Sequence, residues 1–97
     1  MTFRITPRAS ADLEEIWQYV ARDSPVAADK VDSELHAAMQ MLARFPGLGH
    51  RRDDVARPDY RFWPVFSWLI AYRRDEDSIH IIRVVHGSRD VHSEMRG

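Results

Sequence analysis

Residues 61 to 86 hold three strand-like runs with almost no chain between them, and that spacing constrains the fold more than any other feature. The runs are Arg61 to Phe66, Trp68 to Arg74 and Ser78 to His86, and the last is dominated by β-branched residues that suit a pleated surface. The polar turn Asp75-Glu76-Asp77 joins the last two runs, and such short links demand antiparallel neighbours. Pro64 has no amide to give to a ladder, which places the first run at a sheet edge. The last run leads into His86-Gly87-Ser88-Arg89, where Gly87 can take a positive φ and let the chain turn out. A basic, histidine-bearing cluster at a strand end is either an anion-binding site or a partner-docking surface.

The N-terminal half supplies the remaining elements. Phe3 and Ile5 alternate with polar neighbours as in a short half-buried strand. Thr6-Pro7 reads as an N-cap followed by a first helical residue with no amide to lose. Leu13, Ile16, Trp17 and Val20 then form an apolar stripe at helical spacing, with Asp12, Glu14, Glu15 and Gln18 assigned to the outer side and an end near Arg22-Asp23. Ser24-Pro25 repeats the start signal, and Val31, Leu35, Ala38, Leu42 and Phe45 keep the helical period until Pro46-Gly47 stops it. A polar loop, residues 48 to 60, follows. The expected fold is α+β, in the order β-α-α-β-β-β, with a helical hairpin packed on one face of a small antiparallel sheet.

With 97 residues the chain is expected to form a single domain over residues 1–97, one that buries only roughly 60–65% of its unfolded surface. It has no cysteine, so a disulfide framework and a thiolate zinc site are excluded. Charges at Arg4, Arg8, Asp12, Glu14 and Glu15 interrupt any apolar leader, and no run is long enough to span a bilayer, so a cytoplasmic protein without membrane contact is expected. The net charge of −1 argues against a generic nucleic-acid binder. That average hides an asymmetry: five basic residues face seven acids up to Gly49, whereas nine arginines face eight acids from His50 onward. Arginine favours planar bidentate contacts with carboxylates and phosphates, although a GC-rich genome raises arginine usage equally well.

Arg61, Arg73, Arg83, His86 and Arg89 lie on or just after the strands, and alternation directs some of them to the face opposite the helices. They are either solvated positions of a half-exposed sheet or a converging surface for an oligoanion or acidic peptide. His36, His50, His80, His86 and His92 show no metal-ligand spacing, so no metal or cofactor is expected. Trp17 and Trp68 are assigned to the core. Trp63, beside Phe62 and Pro64, is core or, facing outward, a recognition residue.

Taken together, these segments resemble the ParE branch of the RelE/ParE superfamily of type II toxins, also described as plasmid stabilisation proteins. The resemblance runs nearly end to end. It is carried by Thr6-Pro7-Arg8-Ala9 with Ala11-Asp-Leu-Glu-Glu-Ile16 and Tyr19, by the helix exit Phe45-Pro-Gly-Leu-Gly49 with Arg51 and Asp54, by Ile70-Ala-Tyr-Arg73, and by Ile82-Arg-Val-Val-His-Gly-Ser-Arg-Asp90.

This resemblance implies a growth-arresting toxin neutralised by a cognate antitoxin whose C-terminal segment wraps it as helix and strand. ParE-like members act on DNA gyrase by direct binding; RelE-like members are ribosome-dependent mRNA endoribonucleases. On the ribonuclease pattern Arg61, His86 and Arg89 would be catalytic, but Leu69 stands where a third-strand arginine is expected and Met95 where a C-terminal tyrosine is expected. Cleavage by a 2′-hydroxyl needs a base, an acid and charge stabilisation, so the expectation is a gyrase-directed toxin without its own catalytic site. Its partner-binding residues would be Arg61, Trp63, Arg73, Arg83, His86 and Arg89, with no direct sequence-specific DNA binding. The alternatives are the ribonuclease and an inactive antitoxin-binding remnant.

Overall fold

Both helices begin where their cap-and-proline sequences require. In the computed structural model, which describes residues 1–55 and 57–96, the Thr6 hydroxyl accepts the Ala9 amide at 3.2 Å and the Ser24 hydroxyl accepts the Ala27 amide at 3.1 Å. The elements are β1 (Thr2–Ile5), α1 (Pro7–Ala21), α2 (Pro25–Arg44), β2 (Tyr60–Val65), β3 (Trp68–Arg74), β4 (Ser78–His86) and a short α3 (Val91–Glu94). The chain contains the expected order up to β4, and α3 is an addition. No helix among the described residues is long and apolar enough to cross a membrane.

The sheet runs β1-β4-β3-β2, with Pro64 on the edge strand as expected. β2, β3 and β4 form the antiparallel meander, but β1 pairs with β4 in parallel, from Thr2 opposite Ser78 to Ile5 opposite Ile81. The sheet is therefore mixed rather than wholly antiparallel. The long connection from Phe45 to Asp59 leaves room for β2 to run in the same sense as β1, and two tight turns then return β4 to that sense.

A bulge decides where the site can lie. Ala71 faces Arg83 while Tyr72 faces Ile81, so Ile82 is an extra residue in β4, and an extra residue locally bends and twists its strand. β1 stops pairing at the same level. From there α1 satisfies the outer edge of β4: the Thr6 hydroxyl donates to the carbonyls of Ile81 (2.8 Å) and Ile82 (3.2 Å), and the Asp12 carboxylate accepts the Val84 amide at 3.0 Å.

The principal core lies between helices and sheet, with Leu35, Met39 and Leu42 of α2 against Ile70, Tyr72, Ile79 and Ile81. The opposite sheet face is not the half-exposed polar surface that strand alternation alone allows. Phe62 and Ala71 form a second cluster there with Val55 of the loop and Val91 of α3, flanked by Tyr60, Leu69 and Met95. Leu69 and Met95 are thus packing residues of this smaller core.

Three expectations are corrected. Trp17, assigned to the core, is 38% exposed and its indole donates to Asp29 at 2.9 Å, tying α1 to α2. Trp68 is half-buried at the margin of the main core rather than inside it. Gly87 does not take a positive φ; the left-handed position belongs to Phe66, at φ 52° in the two-residue link between β2 and β3. A positive φ at the first of two linking residues matches the type II′ position at which glycine is preferred. Gly87 instead permits close approach, because a Cβ there would lie 3.3 Å from the Ser67 carbonyl that its own amide contacts at 2.8 Å. Replacing the exposed Phe66 by glycine is expected to raise stability by about 0.5–1 kcal/mol, the left-handed strain outweighing the added chain entropy; chemical denaturation of the two proteins measures it.

Candidate functional site

Arg83 organises the exposed end of β4. Its Nε and Nη2 donate to the two oxygens of Asp12 at 2.7 and 3.1 Å, and its Nη1 donates to the Glu94 carbonyl at 2.6 Å. The bond to Asp12 raises the Arg83 pKa against the opposing effect of burial. One guanidinium thereby joins α1, β4 and α3. Nearby, Arg89 reaches the Glu94 carboxylate at 3.2 Å but stays 71% exposed.

Above this network, between α1 and the end of β4, is an open cleft of about 560 Å³. Arg8, Arg22, Trp68, His86, Ser88 and Arg89 line it, and Ile16 and Val84 contribute apolar wall. Asp12 is buried rather than on the outer side assigned to it. The sequence reading also missed Arg8 and Arg22. The available signal was the spacing 8, 12, 15, 19 and 22, one continuous helical face of mixed charge that turns out to border the sheet edge.

Of the six proposed partner residues, the structure gathers Arg83, His86 and Arg89 in this cleft. Arg61 is elsewhere: it donates to the carbonyls of Gly49 (2.9 Å) and Gly47 (3.4 Å), bracing the exit from α2. Trp63 packs on the helix-side core with its ring stacked on His50, centroids 6.4 Å apart. Arg73 stands opposite Tyr60 and contacts His80 Nδ1 at 3.3 Å, on the face away from the helices. Arg61, His86 and Arg89, the residues a ribonuclease would need, are consequently not one cluster.

A two-helix layer on a β1-β4-β3-β2 sheet, with a mixed-charge cleft at the open end of β4, defines a class of small α+β folds. The chain superimposes on one from the solved "Chromosomal ParDE TA system from P. aeruginosa" with a TM-score of 0.73 and 24% identity, covering 89% of this chain and 95% of that one. In sequence, residues 3–91 match the family described as ParE toxin of type II toxin-antitoxin system, parDE. Toxin ParE1 of Caulobacter vibrioides is 36% identical over 95 residues, 96% of each chain. Toxin ParE1 of Mycobacterium tuberculosis is 34% identical over 91 residues, 92% of each, and Toxin RelE2 of Caulobacter vibrioides is 33% identical over 84 residues, 87% of this chain and 92% of that one. The chain belongs to the ParE toxin family of type II toxin-antitoxin systems.

Proposed function

We propose that this ParE-type toxin works in the cytoplasm by binding DNA gyrase directly, without chemistry of its own, and that a cognate antitoxin neutralises it by covering the cleft and adjoining helix faces. The supporting observation is how the basic residues are employed. Arg83 is held by Asp12 and the Glu94 carbonyl, and Arg61 by loop carbonyls. Neither is free to stabilise a phosphorane, whereas the exposed cations around the cleft suit contact with an acidic surface.

The test is plasmid supercoiling by purified gyrase with the toxin added. Inhibition or accumulated cleaved DNA is expected, and the Arg22→Glu, Arg89→Glu double variant should weaken it by about tenfold or more, since like-charge contacts oppose docking. Unaffected gyrase would overturn the reading. A second reading, ribosome-dependent mRNA cleavage, draws on the likeness to Toxin RelE2 and on His86 and Arg89 sharing the cleft. Codon-positioned cuts in a translation extract, lost in Arg89→Ala, would establish it. Absence of growth arrest from folded toxin would instead identify an inactive antitoxin-binding remnant.

A further inference from the structure

We infer that Ser88 fixes the His86 ring with its proton on Nε2, making His86 a hydrogen-bond donor for a carboxylate of an acidic peptide segment seated between α1 and β4. The inference rests on the protein-contact reading above and names the chemistry of the contact.

Two donors converge on one atom. The Ser88 amide lies 3.2 Å from His86 Nδ1 and the Ser88 hydroxyl 2.6 Å from it. A hydroxyl proton rotates, but an amide proton has a fixed direction, so Nδ1 must present its lone pair and the neutral ring carries hydrogen on Nε2. The turn that delivers the amide is itself closed, by the Arg89 amide on the His86 carbonyl at 3.1 Å and the Gly87 amide on Ser67. Trp68 meets the ring edge-on at 5.8 Å. Among the described residues Nε2 has no hydrogen-bond partner, and His86 lines the cleft.

A base at Nε2 would need the opposite tautomer, which sets Nδ1–H against the Ser88 amide. A donor sharing the cleft with Arg22 and Arg89 instead calls for an anionic oxygen. The cleft lining holds four arginines against three acids, and Asp12 and Glu94 are already engaged with Arg83. That modest excess suits single carboxylates better than a phosphate chain, whose binding scales with the number of phosphates neutralised. The apolar walls of Ile16, Val84 and Trp68 favour a peptide whose acidic residues alternate with apolar ones.

Two-bond ¹⁵N–¹H correlation on ¹⁵N-histidine toxin at about pH 8, where the free side chain is neutral, reads the tautomer. His86 is expected wholly as Nε2–H, in Ser88→Ala as in the parent protein because residue 88 keeps its amide; Nδ1–H or a mixture in either protein would overturn the inference. The same toxin is then titrated with an acetylated, amidated peptide of alternating leucine and glutamate, with its lysine counterpart, and with inorganic phosphate. The glutamate peptide alone should shift His86 Nε2. His86→Leu should weaken that binding about fivefold to tenfold, the worth of one hydrogen bond, and His86→Gln, whose side-chain amide keeps an N–H donor near the Nε2 position, should restore most of it. Equal shifts with phosphate, or undiminished binding by His86→Leu, would overturn the inference. Neither measurement involves gyrase, so a toxin that passes both and leaves gyrase unaffected counts against the target and not against the contact.

Discussion

Asp12→Ala is expected to reduce the unfolding free energy by about 3–5 kcal/mol, the usual consequence of stripping one partner from a buried ion pair. The side chains of Arg83 and Asp12 are only 12% and 6% exposed, so water cannot replace the missing carboxylate. The deletion removes two guanidinium bonds and also the acceptor for the Val84 amide. In a domain of this length each kcal/mol moves Tm by about 4–8 °C, so a fall of at least ~12 °C is expected by calorimetry. The double variant Asp12→Leu, Arg83→Met should recover most of it, because no orphaned charge remains. A loss of less than 1 kcal/mol in Asp12→Ala, within the range of exposed pairs, would show the bridge to be ornamental. The pH dependence has a definite sign. Asp12 raises the Arg83 pKa above its ordinary value, so the stability linked to Arg83 ionisation is complete below that ordinary value and is lost only as pH rises through the folded one. The deficit caused by Arg83 losing its partner should therefore carry no slope from arginine titration between about pH 6 and 9. Because the same arginine anchors α3 through Glu94, the variant should also speed amide exchange in α3 before global unfolding.

That bridge also shows what can be read from such a chain. Caps, helix limits and the three-strand meander were legible, because each depends on local chemistry: Thr6-Pro7, Ser24-Pro25, Pro64 on an edge, acids in a tight turn. The family, too, was legible from motif order. The direction of β1 was not, since nothing in Phe3 or Ile5 records whether a strand seventy residues later runs with it or against it. Trp17 was misassigned because helical spacing defines a face but not its depth; it lies at the rim, where its indole finds Asp29. The bulge at Ile82 has no composition signal in a run of β-branched residues, yet it accompanies the transfer of β4's outer edge from β1 to α1. The site suffered the same blindness. Basic residues were recognisable as candidates, but whether an arginine is a ligand or a brace depends on partners far away in sequence, as Asp12 is for Arg83 and Gly49 is for Arg61.

Gly49→Ala is the second change with a large expected effect, about 2–4 kcal/mol of destabilisation from overpacking together with lost hydrogen bonds. A Cβ at residue 49 would lie 2.5 Å from the Tyr72 hydroxyl and 2.6 Å from its Cε1. Tyr72 has no room to withdraw: it is fully buried, at 0% exposure, in the centre of the main core. Its hydroxyl accepts the Gly49 amide and donates to the Pro46 carbonyl, each at 2.8 Å, so the ring clasps the Phe45-Pro-Gly-Leu-Gly49 exit from α2 onto β3. Tyr72→Phe keeps the ring and removes only the clasp, leaving two polar backbone atoms unpaired, and should cost about 2–3 kcal/mol. The two changes attack one contact, so Gly49→Ala in the Tyr72→Phe background should cost less than in the parent protein. Additive losses would place the glycine's role elsewhere. Alkaline titration offers an independent check. Burial pushes the Tyr72 pKa above its ordinary 10.0; the stability linked to its ionisation is complete below that pH and is lost as pH rises beyond it, a slope Tyr72→Phe should lack. Arg61 grips the same loop through the Gly49 carbonyl, so loosening the clasp should free a cation that the folded toxin keeps occupied, while leaving the cleft at the far end of β4 intact.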